Sequence, residues 1–130
     1  VQLDHVFTRE QMIEFQELVR RVPVSDHIVS YAVAIARATR PAGGAASEFV
    51  REYVEWGAGP RAAQHMVLGG KALAVLDGQP TVSAAHVRRV APMVLRHRVL
   101  PNYQASGDGL GATDIIEKVL EEIREPSYDG

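Results

Sequence analysis

The residues best placed to do chemistry are Gly57, Ala58, Gly59, Pro60 and Arg61. Glycine admits backbone conformations that other residues avoid, so two glycines here predict a tight turn. Proline is pre-set for the first position of a helix and has no N–H to leave unsatisfied there. The turn therefore aims the free N–H groups of a helix start, together with one fixed cation, at one point. That arrangement suits a phosphate group. Arg61 is on the wrong end of the helix dipole unless an acid or a bound anion faces it, which strengthens the anion reading.

Other chemical signatures are mostly missing. None of the five histidines falls in a His-Glu-x-x-His pattern, and there is no Gly-x-Ser-x-Gly elbow. Gly69-Gly70-Lys71 imitates the end of a phosphate-binding loop. However, His65 stands where that motif needs its first glycine, and Ala72 where it needs a magnesium-binding hydroxyl. Close helix packing is the preferred reading of the two glycines, because each costs about 1 kcal/mol relative to Ala inside a helix. No acidic residue occurs between positions 78 and 107, where Arg88, Arg89, Arg96 and Arg98 lie with His86 and His97. This basic segment could bind nucleic acid, a phosphate or an acidic neighbouring surface, or form a solvated helix face. Tyr103 is the one aromatic residue near it, a weak basis for stacking bases.

These residues need helices to position them. Thr8 and Gln11 have capping-box spacing, and Met12, Phe15, Leu18 and Val19 follow as a helical stripe that Pro23 ends. Ser25 caps a second helix with Ile28, Val29, Ala32, Ile35 and Ala36 on one face, ending near Thr39 before Pro41. Residues 48–56 favour a short helix over a strand. A third long helix is expected over 60–77, with Gly78 as its stop. Ser83 caps the next helix, where Pro92 predicts a kink or a division into two. Residues 99–103 read as extended, and Gly107, Gly109 and Gly111 as a mobile loop. Thr113 is the expected cap of a last helix carrying Ile115, Ile116, Val119, Leu120 and Ile123.

The predicted architecture is an all-α helical bundle with at most a short extended segment near Val99 and Tyr103. One domain is expected over 1–125, with a frayed tail over 126–130. The 130 residues can bury a core, and 46% hydrophobic with 23% charged residues is ordinary for a globular chain. A net charge of −2 argues against nucleic-acid binding by the chain as a whole. Without cysteine there are no disulfides, thiolate metal sites or cysteine nucleophiles. No apolar run reaches the roughly 20 residues that span a bilayer, and the start Val1-Gln2-Leu3-Asp4-His5 is not a signal peptide. No metal site and no membrane partner are expected, and the cytoplasm is the expected compartment. With no initiator Met, the chain reads as a piece of a longer protein.

Several blocks together resemble the C-terminal helical lid of MoxR-family AAA+ ATPases. They are Val19-Arg20-Arg21-Val22-Pro23-Val24-Ser25-Asp26, Ala38-Thr39-Arg40-Pro41, Trp56-Gly57-Ala58-Gly59-Pro60-Arg61-Ala62, Lys71-Ala72-Leu73-Ala74 and Leu95-Arg96-His97-Arg98-Val99. The resemblance covers residues 6–123. It implies a lid packed beside an α/β nucleotide-binding domain, with ATP and Mg in the intact protein and none held by this chain alone. It implies that Gly57, Ala58, Gly59, Pro60 and Arg61 form the nucleotide-contacting motif, with Arg61 as the sensor 2 arginine at the γ-phosphate. Gly59 stands where the family usually has Ser. The resemblance also implies a homo-oligomeric ring, commonly a hexamer, with chaperone-like action on partner proteins, many members working beside von Willebrand factor A domain proteins. Walker A and Walker B are missing from this chain, so hydrolysis is expected only of an intact protein.

Two other readings compete. One is a non-enzymatic interaction module using the basic segment 88–98; the other is a helix-turn-helix DNA binder reading with residues 83–98. The lid reading predicts an exposed Arg61 beside an exposed apolar patch around Ile28, Tyr31 and Pro60.

Overall fold

A computed structural model describes residues 3–125. Seven helices and one two-stranded ribbon follow in the order α1 (Arg9–Arg21), α2 (Asp26–Ala38), α3 (Glu48–Tyr53), β1 (Val54–Trp56), α4 (Pro60–Leu76), α5 (Ala84–Leu95), β2 (Leu100–Pro101), α6 (Tyr103–Gly107) and α7 (Ala112–Glu122). The fold is all-α, as the periodicity requires. The tail expected over 126–130 lies outside the described residues.

Helix α4 is the axis of the molecule, packed between α2 and α5, while α7 closes the far side against α5, α2 and α3. Ile28 and Ile35 of α2, Met66 of α4, Val87 and Leu95 of α5, and Ile115 and Ile116 of α7 are fully buried in one shared core. Gly69 and Gly70 do let α4 and α5 approach closely. A Cβ on Gly69 would stand 2.7 Å from Val90 Cγ1, and one on Gly70 would stand 3.0 Å from Val82 Cγ1. The helix then stops at Gly78, whose φ of +66° is a left-handed conformation that favours glycine.

The caps at Thr8, Ser25 and Ser83 form as the spacing predicts. At Ser83 the third residue of the box is His86. Its Nδ1 accepts the Ser83 N–H at 3.0 Å, which leaves Nε2 facing Asp77 Oδ2 at 3.2 Å. This buried histidine thus ties the end of α4 to the start of α5.

Four expectations are corrected. Val54 to Trp56 leave the helix and form strand β1, because they pair antiparallel with the segment after α5: Val54 opposes Pro101 and Trp56 opposes Leu100. Of the kink or division that Pro92 predicts, the division does not occur: α5 runs unbroken to Leu95. Its last turn is held by buried Ala91 and Leu95, so packing outweighs the one hydrogen bond that proline removes. Tyr103, read as extended, instead starts the short helix α6, which is capped by the Asn102 side chain, tied to Glu52 by Asn102 and Gln104, and ends at Gly107 where the glycine-rich turn begins. Finally, Gly111 and not Thr113 is the N-cap of α7. The Asp114 carboxylate accepts the Gly111 N–H at 2.7 Å, starting the helix earlier than a threonine cap would. The same corner holds the Tyr53 hydroxyl 3.0 Å from Asp108 Oδ2; this bond to a carboxylate raises the tyrosine pKa above its ordinary value.

Candidate functional site

The segment from Gly57 to Arg61 joins β1 to α4, and the end of α2 holds it in place. Thr39, the C-cap of α2, is fully buried. Its hydroxyl donates to the Ala36 carbonyl at 2.7 Å and accepts the Ala58 N–H at 2.9 Å. Arg40 Nε donates to the Ala58 carbonyl at 2.7 Å. Both backbone groups of buried Ala58 are therefore satisfied by adjacent residues of one helix end, which fixes the loop before α4 begins.

Gly57 is required for a different reason from the one its turn-like context suggests. Neither Gly57 nor Gly59 has a positive φ. Instead, a Cβ on Gly57 would lie 2.3 Å from the Thr39 carbonyl oxygen and 2.6 Å from Arg40 Cα. The glycine is there so that two backbones can touch. Gly59 is in open space at φ −79° and ψ 178°, an extended conformation that any residue adopts. It is the N-cap of α4 and has no side chain to accept from the first turn, leaving the helix start uncapped. Pro60 occupies the first turn as expected, and Arg61 follows it, exposed to solvent.

Arg61 borders a cleft of about 1000 Å³ whose walls also include Trp56, Pro60, Arg96, His97 and Arg98. No aspartate or glutamate among the described residues lines it. Among the described residues the Arg61 side chain has neither a hydrogen bond nor an ion pair. Trp56, 72% exposed, stands at the edge of this cleft. All five residues predicted for the site are contiguous here, but they are not equivalent: Ala58 is buried in the clamp, whereas Pro60 and Arg61 face solvent.

The basic segment does not form one surface. Arg88 turns inward, donating to the Tyr31 hydroxyl and to the Leu120 and Ile123 carbonyls at the end of α7. Arg89 pairs with Asp77 at 2.6 Å. Arg98 is held by the Val94 carbonyl, His97 and His65. Only Arg96 of the four has a side chain left without a partner among the described residues. The contiguous cationic face that an acidic-partner or DNA reading needs is thus absent, and α5 follows a helix of 17 residues, not a short one.

The expected apolar patch is also displaced. Ile28 and Tyr31 are buried, so they present no surface. The exposed apolar groove next to Pro60 is lined instead by Val29 and Val33 of α2 and by Val67 and Leu68 of α4. Helix α1 adds exposed Met12, Ile13, Phe15 and Leu18; its stripe is apolar, but none of its residues is fully buried.

The loop clamped by Thr39 and Arg40, with its exposed arginine in the first turn of α4, lies within a recognised region: residues 46–119 match the AAA lid domain family. The chain belongs to the AAA lid domain family. This lid is 29% identical over 128 residues to Chaperone MoxR1 of Mycobacterium tuberculosis strain H37Rv, covering 98% of the chain and 34% of that protein. It is 26% identical over 124 residues to protein YeaC of Bacillus subtilis strain 168, covering 95% of the chain and 36% of that protein. Among solved structures, a chain from Cytophaga hutchinsonii described as a putative ATPase superposes with a TM-score of 0.84 at 26% identity, over 91% of the lid and 36% of that chain. The lid spans about a third of the length of these relatives. No helix among its described residues is long and apolar enough to cross a membrane.

Thr39 and Arg40, which hold the loop before α4, are positions that residue chemistry alone missed. Their signal was present in the block Ala38-Thr39-Arg40-Pro41, but nothing in one dimension says that it meets Ala58.

Proposed function

We propose that this lid supplies Arg61 as the sensor 2 arginine of a MoxR-type AAA+ ATPase. In that role it reaches the terminal phosphate of ATP bound by a nucleotide-binding domain outside this chain. The observation that carries the reading is an exposed arginine on the first turn of α4 that has no side-chain partner among the described residues, in a cleft that no described carboxylate lines, on a loop locked by Thr39 and Arg40. The cleft fits phosphate oxygens. It does not fit a metal ion, since no group of three His, Asp or Glu side chains assembles among the described residues. The ligands of Mg would therefore come from the other domain. Bound ATP with Mg supplies the phosphoryl group that passes to water.

This chain's part is electrostatic and mechanical. Arg61 donates to phosphate charge and loses that contact when the terminal phosphate leaves. Pro60 fixes the backbone of the first turn of α4, and α4 packs against both α2 and α5. A change at Arg61 therefore moves the lid as one body, in the manner of hinge closure around a ligand. In a homo-oligomeric ring, of which a hexamer is the working size, this motion drives chaperone-like remodelling of partner proteins, with von Willebrand factor A domain proteins as candidate co-partners.

The test is Arg61→Ala in the intact protein. Turnover of ATP should fall at least tenfold while the melting temperature stays within about 1 °C, because an exposed side chain without partners contributes little to stability. Unchanged turnover would overturn the assignment. The lid alone should show no hydrolysis above background, and clear turnover by it would contradict this division of labour.

A further inference from the structure

We propose that Arg96 is a second cation for the same polyphosphate that Arg61 addresses; the inference rests on the reading of Arg61 above. The ribbon brings the two residues together. Trp56 ends β1 and pairs with Leu100, which begins β2. The pairing is antiparallel, so the chain leaving β1 toward Arg61 and the chain arriving at β2 from Arg96 emerge at the same end. Both arginines accordingly line the same cleft.

Arg40, Arg88, Arg89 and Arg98 each have a carbonyl, carboxylate, hydroxyl or imidazole partner. Among the described residues Arg61 and Arg96 have no side-chain partner, and no carboxylate lines the cleft between them. Other exposed arginines, Arg9, Arg37 and Arg51 among them, also have no side-chain partner among the described residues, but none of these lines the cleft as Arg61 and Arg96 do. Two uncompensated guanidinium groups around one concavity repel each other, and a multiply charged anion between them reverses the sign of that interaction. Guanidinium forks match phosphate oxygens two at a time, so a chain of linked phosphates can engage both. Arg96 is fixed for this purpose by its own N–H, which donates to the Pro92 carbonyl at 3.1 Å, and by the ribbon that follows. A charge at the end of α5 also suits that helix's dipole, so the cation stands there without strain.

The experiment is calorimetric titration of inorganic tripolyphosphate, and separately of ATP, into the intact protein and its Arg96→Ala, Arg96→Lys and Arg61→Ala variants. Thermal melting serves as the control. Arg96→Ala should weaken both ligands about tenfold or more, as loss of a charge-assisted phosphate contact does, without shifting the melting temperature. Arg96→Lys should restore part of the loss, since it keeps the charge and not the fork. If Arg96→Ala binds like wild type while Arg61→Ala is weakened, Arg96 is not a phosphate ligand and the Arg61 reading stands. If neither variant is weakened, both readings fall. If only Arg96→Ala is weakened, the shared site is wrong and Arg61 loses its role.

Discussion

Gly57→Ala isolates the device that positions Arg61. The added Cβ would stand 2.3 Å from the Thr39 carbonyl oxygen and 2.6 Å from both Arg40 Cα and the Thr39 carbonyl carbon. All three are backbone atoms, so no side-chain rotation relieves the clash. Restoring ordinary contact requires the loop to retreat from α2 by about 1 Å. That retreat carries Ala58 with it and stretches its bonds to Thr39 Oγ1 and Arg40 Nε, now 2.9 and 2.7 Å, beyond hydrogen-bond length. A buried amide left unsatisfied costs roughly 1–3 kcal/mol, and a lost charge-assisted bond about 1.5–3. Together they predict a destabilisation of roughly 2.5–6 kcal/mol, a large part of a typical domain's total. Urea unfolding followed by circular dichroism should show a lower midpoint at unchanged slope. Gly59→Ser, two residues away in open space, is the control; it supplies the missing cap and should gain a few tenths of a kcal/mol. A Gly57→Ala cost below about 1 kcal/mol, or one no different from that of Gly59→Ser, would refute the clamp.

Other consequences follow from the same contacts. Thr39→Val keeps the volume but strands the Ala58 N–H, and should cost about 1–3 kcal/mol in denaturant unfolding. Gly69→Ala should cost about 1–3 kcal/mol because its Cβ meets Val90 Cγ1 at 2.7 Å, and Val90→Ala in the same chain should recover part of it. The raised pKa of Tyr53 means that its bond to Asp108 is intact below the unfolded-state pKa near 10 and is lost as pH rises through the higher folded value. Alkaline unfolding monitored by ellipticity should therefore be less steep in Tyr53→Phe than in wild type.

The helices were legible because their signals are local. Thr8, Ser25 and Ser83 act on amides three residues away, and Gly78 stops α4 through its own φ. Arg61 was legible for the same reason, since Gly59, Pro60 and Arg61 are adjacent to the helix they start. What escaped depends on distant partners. Residues 54–56 are a strand only because residues 100–101 lie beside them, and Pro92 is tolerated only because Ala91 and Leu95 are buried around it. The burial of Ile28 and Tyr31 shows the same limit: the apolar stripe of α2 was visible, but its exposed edge at Val29 and Val33 depends on where α4 sits. The basic segment failed as a unit because charge along the chain does not reveal that Arg88 turns to the Tyr31 hydroxyl and the end of α7 and Arg89 toward Asp77.

The central claim is that Arg61 addresses the terminal phosphate of a nucleotide. Its most direct measurement is the ratio of ATP to ADP affinity in the intact protein, wild type against Arg61→Ala. Loss of one charge-assisted contact made only to the terminal phosphate predicts that ATP binding weakens about tenfold or more while ADP binding is nearly unchanged. Equal affinities of wild type and variant for ATP, or an equal loss for ATP and ADP, would contradict the account.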